Sequence, residues 1–168
     1  MANPNPPQPD PVYLGLRHTL FTADPAGLGL APSERLPQVW AALMEIDLGG
    51  AVASVVAVAD GTTSLYISNG GGVIGTGAYP AVAGATAAFL DAAQAYLRAG
   101  WFAPVAEPPL PGPDRVRFTA LTYAGPHSVD AVTESLPGGG EPLSALFGAG
   151  NDVLTQIRLV QEAQDRRG

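Results

Sequence analysis

The chain has 168 residues, 46% apolar and only 14% charged, with 21 Gly, 17 Pro and a formal net charge of −7, a balance that favours folding over disorder. It has no Cys and its eight basic residues are all Arg, which excludes disulfides, thiolate nucleophiles, zinc ribbons, Walker-type phosphate loops and Schiff bases. His18 and His127 are the only imidazoles, and acids outnumber Arg six to two in residues 1–84 and nine to six in residues 85–168, so no metal, no cofactor and no nucleic-acid partner is expected.

Five prolines crowd residues 1–11, which read as a disordered or polyproline-type tail ahead of a single α+β domain over residues 12–168. The tail lacks the positive start and apolar stretch of a secretory signal, and a cytoplasmic protein is expected. His18, beside Arg17 among apolar neighbours, reads as a hydrogen-bonded strand or loop residue. Ser33 offers an N-cap after Pro32, and Leu36, Val39, Trp40, Leu43 and Met44 follow at helical spacing, which predicts a first helix stopped by Gly49 and Gly50. Residues 52–59 are Val-rich and apolar on both faces, the pattern of a central strand. Asp60-Gly61 suits a two-residue type I′ turn into residues 63–68, where Leu65 and Ile67 alternate with Ser64, Tyr66 and Ser68. The glycine-rich run 69–77 reads as a loop or a bulged edge strand.

Residues 80–99 predict a long helix with Val82, Phe89, Leu90, Tyr96 and Leu97 on one face and Asp91, Gln94 and Arg98 on another. Between them Ala81, Ala85, Ala88, Ala92, Ala95 and Ala99 alternate steps of four and three, a seam that lets a second helix approach closely. A chain with 28 Ala also produces such a stripe from composition alone. The span 78–97 contains Pro80, Asp91 and Gln94 and is built on Ala, so no membrane association is expected. Five more prolines fall in residues 104–113, an ordered connection. Residues 115–123 then read as a strand, with Val116, Phe118 and Ala120 opposite Arg115 and Arg117. A short helix capped by Ser128 is predicted next, ended by the glycines at 138–140, and Pro142 opens a last helix with the stripe Leu143, Leu146, Phe147, Leu154 and Ile157, which Gly148 and Gly150 can kink. The expected fold is α+β, an antiparallel sheet of about four to five strands with helices packed on it.

Few residues carry recognisable chemistry. Gly70, Gly72 and Gly75 have the G-x-G-x-x-G spacing, but Thr76, Gly77 and Pro80 delay the helix whose N-terminus should meet a pyrophosphate. Gly70, Gly71 and Gly72 are retained as a backbone loop for a small anion, with Arg115, Arg117 and His127 as the other candidate ligand-binding residues. His127, Ser128 and Asp130 supply the three residue types of a serine hydrolase, yet near neighbours in a chain rarely converge, and no nucleophile elbow is present; no catalytic residue is assigned.

The order of apolar strand, Asp60-Gly61 turn, second strand, Gly-rich stretch and Ala-lined helix over residues 52–99 resembles the core of roadblock/dynein-light-chain-like domains. The stretches DGTTSLYISNGGGVIG, RVRFTALTY and GNDVLTQIRL are similar to those of an uncharacterised bacterial family. The first resemblance implies a roadblock/profilin-like sandwich that dimerises through the helix after the hairpin and the adjacent edge strand. The N-terminal 30 residues, the Pro-rich connection and the long C-terminal helix fall outside that pattern. Two functions follow as expectations: a non-enzymatic homodimeric interaction module using Ala81, Ala85, Ala88, Ala92 and Ala95, with scope for a further protein partner, or a small-molecule-binding protein or hydrolase using the Gly-rich loop, Arg115, Arg117 and His127.

Overall fold

The structure, a computed structural model, describes residues 8–168. Of the expected tail, residues 1–7 lie outside the described residues, while Asp10 and Pro11 already belong to the start of a helix. That helix, α1 (Pro11–Thr22), is followed by β1 (Val39–Asp47), β2 (Val52–Val58), β3 (Thr63–Ile67) and the two-residue β4 (Gly72–Val73). Helix α2 (Pro80–Arg98), β5 (Ala103–Pro104), β6 (Arg115–Thr122), β7 (Gly125–Val132) and α3 (Ser144–Asp165) complete the chain. All strand pairs are antiparallel, in the order β4-β3-β2-β1-β6-β7-β5. The α+β class with helices on an antiparallel sheet is as expected; the sheet has seven strands rather than four to five.

β5 falls in the Pro-rich connection, and two of the other strands differ from expectation for local reasons. The predicted helix at Leu36 to Met44 is β1, the central strand, in which every residue from Val39 to Ile46 is buried. An uninterrupted apolar run matches helical spacing as well as any other, so periodicity cannot identify a strand covered on both faces. Ser33 caps no helix; its hydroxyl accepts from the Leu36 N–H at 3.0 Å in a turn before the strand. Likewise Ser128 lies in the middle of β7, opposite Thr119, because Tyr123 and Ala124 form a tight turn that sends the chain straight back along β6. In β7, Val129 and Ala131 pack on the core while Ser128 and Asp130 face the other way, the two-residue alternation of a strand.

One turn and one helix also differ in detail. At the β2–β3 connection only Gly61 has positive φ, +93°, and its N–H donates to the Val58 carbonyl. Asp60 is not left-handed, so the turn is not type I′ but a type I turn with Gly61 as its bulge residue. In α3, Gly148 and Gly150 do not break the helix. At Gly150 α3 instead packs directly on the sheet: a Cβ there would stand 2.6 Å from the Met44 sulfur.

The chain starts on one face of the sheet with α1 and lays α2 and α3 side by side on the other. Those two helices run antiparallel: the Tyr79 hydroxyl at the head of α2 accepts from the Gln164 amide near the end of α3, and the Tyr96 hydroxyl donates to the Pro142 carbonyl just before α3. Gln94, expected on the polar face of α2, is buried and accepts from the N–H groups of Gln38 and Val39 at 3.0 Å each, fixing the helix to the start of β1. Among the described residues the α2/α3 face gathers twenty buried apolar residues into one cluster, while the apolar cluster on the α1 face has seven. No helix among them is long and apolar enough to cross a membrane.

Candidate functional site

The α1 face is where charge is buried. Asp10 accepts from the Val12 N–H at 2.7 Å and caps α1, and the Asp10 N–H donates to the Ser68 carbonyl, which pins the helix start to the end of β3. From there Tyr13, Arg17 and Phe21, spaced by four, form the stripe that α1 turns inward. Glu45, two residues from the end of β1, meets Tyr13 and Arg17 and is fully buried. The Arg17 guanidinium donates to both of its oxygens, Nε to Oε2 at 2.9 Å and Nη2 to Oε1 at 2.8 Å, while its flat face lies 4.8 Å from the centre of the Phe21 ring.

The neighbouring strand completes the carboxylate's shell. Ser54, paired with Glu45 across β1 and β2, donates to Oε2 at 3.0 Å, and the Tyr13 hydroxyl stands 2.8 Å from the Ser54 oxygen. The Tyr13 hydroxyl also lies 3.4 Å from Glu45 Oε2, to which it can donate, so the two hydroxyls and the carboxylate close into one hydrogen-bonded group. Burial, and next the Glu45 charge, push the Tyr13 phenol up to about 12. For Arg17, burial alone would lower the pKa, but the hydrogen bond and charge of Glu45 outweigh it and hold the group above its ordinary value. At the rim Glu107, from the Pro-rich connection, lies 3.9 Å from Arg17 Nη1 and 2.7 Å from His18 Nδ1. His18 is thus an exposed helical residue, not one in a strand or loop as expected.

The same row of the sheet continues through β6 and β7. Arg117 stands opposite Glu45 on one side and Asp130 on the other, and it bonds Asp130 through Nε at 2.7 Å and Nη2 at 2.8 Å. Its remaining arm donates to the Pro109 carbonyl, which holds the Pro-rich connection against this face. Arg117 is therefore committed to two partners. Arg115, two residues along, is exposed at the strand end.

The other candidates lie apart. His127 pairs with Ala120, whose side chain belongs to the α2/α3 core, so His127 is on the opposite face from Arg117 and lines a small cavity with Gln38 and Leu97. Gly72 is in β4, five strand positions from β7, which is roughly 24 Å at the usual strand spacing. The structure brings none of these three groups together. Gly70, Gly71 and Gly72 all have positive φ, and a Cβ on Gly72 would collide with the Leu65 carbonyl oxygen, so there the glycine serves the close approach of β4 to β3. A carboxylate oxygen of Asp10 lies beside Gly70, which places negative charge next to the loop.

The alanine seam divides. Ala85 and Ala92 are half-buried and pack against the α2/α3 core, whereas Ala81, Ala88 and Ala95 are exposed. An open groove of about 350 Å³ lies at the end of the β1–β2 hairpin, lined by Pro9, Asp47, Val52, Leu110 and Pro113 among others. Among the described residues no group of three His, Asp or Glu side chains is placed to hold a metal ion.

What the arrangement does chemically is recognise a guanidinium. Glu45 and Ser54 offer a rigid, pre-oriented carboxylate, and Arg17 fills it. Neither Glu45 nor Tyr13 was singled out from the sequence, because the two are 32 residues apart and no local spacing announces them. The available signal was a lone Glu inside the apolar run 39–46 and a lone Arg within 12–17, since a charge in an apolar run must find a partner. Comparisons of the chain with family models, with curated proteins and with solved structures return no match.

Proposed function

We propose that the protein is a non-enzymatic, homodimeric protein-interaction module that acts in a bacterial cytoplasm, with a roadblock/profilin-like sandwich as its scaffold. One observation carries the reading: residues 61–90 contain no charged side chain, yet this stretch includes exposed surface, with Ile74 70% and Tyr79 39% accessible and Ala81, Gly84 and Ala88 open on the outer side of α2. A surface without charge is poorly hydrated and costs little to cover. The reading narrows the contact to Ala81 and Ala88, together with Ile74 and Tyr79, because Ala85 and Ala92 already pack inside the subunit and Ala95 lies between the exposed Asp91 and Arg98. β4 and β5 are two residues long, and β5 contains Pro104, so edge-to-edge strand pairing is blunted and the helix face is the better contact.

The test is Ala88→Glu. Ala88 is exposed, so the substitution should change stability by less than about 0.5 kcal/mol. Light scattering should fall from twice the formula mass of 17.1 kDa to the single value. A wild-type chain that stays at the single mass at high concentration rejects the module as proposed. The reading as a small-molecule-binding protein or hydrolase has no such observation behind it, since its Gly-rich loop, guanidiniums and imidazole occupy separate places on the sheet.

A further inference from the structure

The two turns that flank β3 are built alike. In the first, the Gly61 N–H donates to the Val58 carbonyl and the Val58 N–H to the Thr62 carbonyl, both at 2.9 Å. In the second, the Gly70 N–H donates to the Ile67 carbonyl at 3.0 Å and the Ile67 N–H to the Gly71 carbonyl at 3.1 Å. Gly61 and Gly70 have φ of +93° and +106°, so each turn ends on a glycine in the same bulge position. What differs is the residue before it. The Asp60 carboxylate accepts from the Thr62 N–H at 2.9 Å and is tied into its own turn. Asn69 is exposed, and its side-chain amide makes no hydrogen bond among the described residues. An untied asparagine amide in front of a glycine is open to attack by the next main-chain nitrogen, because glycine has no Cβ to hold the two apart.

We infer that Asn69 is a site of spontaneous deamidation through a cyclic imide, and that the product unfastens the start of α1. The Gly70 nitrogen attacks Asn69 Cγ, the Cγ–Nδ2 bond breaks, and ammonia leaves with the proton that Gly70 gives up. Water then opens the five-membered ring, at Cγ to give aspartate or at the main-chain carbonyl to give isoaspartate, whose backbone runs through the side chain and is one carbon longer. The other asparagines are unsuited: Asn3 and Asn5 precede prolines, whose nitrogen has no proton to give up, and Asn151 precedes Asp152 within α3. The hydrogen bond from Gly70 to Ile67 is the restraint on the reaction, and one exposed backbone bond slows it by a factor of about ten. The consequence lies one residue away. The Ser68 carbonyl accepts from the Asp10 N–H at 2.6 Å, and a carboxylate oxygen of Asp10 lies beside Gly70. Either product puts a negative charge close to Asp10, in a stretch, 61–90, that otherwise carries none, and isoaspartate also lengthens the turn. The pin that starts α1 over its floor of Glu45 and Ser54 therefore loosens at Asp10, while the Arg17–Glu45 pair two turns further on stays closed.

The full chain, held at mildly alkaline pH and 37 °C, tests the site by ammonia release and by the mass of the proteolytic fragment containing residues 69 and 70, with isoaspartate counted by enzymatic carboxyl methylation. The fragment should gain one mass unit at a rate within about tenfold of that in the urea-unfolded chain, the factor set by the one bond at Gly70. A native rate about a hundredfold or more below the unfolded one, or a gain that maps to Asn151, overturns the site. Asn69→Gln, which would have to close a six-membered ring, supplies the unreacted reference. Amide hydrogen exchange reads the effect on α1: in the aged wild type the Asp10 amide should exchange about tenfold faster than in Asn69→Gln aged beside it, with the Arg17 amide equal in the two. Equal exchange at Asp10 overturns the unfastening of α1, whatever the mass shows.

Discussion

The two faces of the sheet are closed by opposite means. On the α2/α3 side, Phe89, Phe118, Leu146 and Ile157 are essentially inaccessible and interlock into one apolar layer. On the α1 side a short helix is fastened by a bidentate ion pair, two hydroxyls and one aromatic ring. The first kind of closure is non-directional and draws its strength from area. The second depends on geometry at a few atoms, and its net contribution is small because the ions give up their hydration. The α2/α3 face therefore holds the fold, and the α1 face specifies what sits on it.

The largest effect should come from the apolar face. Phe118→Ala removes a side chain that is 1% exposed from the middle of β6 and should cost about 3–5 kcal/mol in urea unfolding. Phe21→Ala, on the other face, should cost less, because α1 can open locally before the sheet does. Equal losses would mean that both faces belong to one cooperative unit. Next comes the ion pair, where the two truncations should differ. Arg17→Ala strands Glu45 on a strand that cannot move and should cost about 3 kcal/mol. Glu45→Ala leaves Arg17 on a helix whose side chain can swing to water, so its loss should be smaller by thermal melting. The reverse order would place the rigidity in α1 and not in the floor.

How much of this the sequence reveals follows the same division. α2 is legible because one face of Val82, Phe89 and Leu90 repeats at helical spacing and the rest does not. The β2–β3 hairpin is legible from Asp60-Gly61 and the alternation that follows, even though the turn type is not. β1 is hidden because both its faces are buried, so no period survives. α1 is hidden because its inward residues include Arg17 and its outward ones Val12 and Leu16, which reverses the pattern by which helices are found. The candidate site sits at the junction of these two elements. Both inversions have one origin, a carboxylate placed on a central strand and a guanidinium sent to meet it.

The Tyr13 phenol measures how dry that junction is. Its pKa is about 12 in the folded chain against an ordinary 10.0, raised first by burial. A raised pKa means the folded state holds the proton longer than the unfolded one, so the contribution is complete below pH 10 and is lost as pH rises through about 12. The wild type should lose about 2–3 kcal/mol across that window in excess of Tyr13→Phe, which has no proton there to hold. Burial raises Tyr123 as well, in both chains alike, so the difference between them reports Tyr13 alone. If the two unfold in parallel from pH 9 to 12, water already reaches the junction and the contrast between the faces is weaker than the geometry indicates.

The smallest effect has the opposite sign. Thr119 is 1% exposed on the α1 face, and its hydroxyl has no partner among the described residues. Thr119→Val keeps the shape and the β-branched preference of the strand while removing the unmet group, so it should stabilise the chain by about 1 kcal/mol. The gain should appear only while α1 is docked, because an open floor lets water reach the hydroxyl and removes its penalty. Combining Thr119→Val with Arg17→Ala separates the two cases: with α1 released by the second change, the gain from the first should vanish. If it persists at full size, the hydroxyl is buried by the sheet itself, and α1 is not what closes this face.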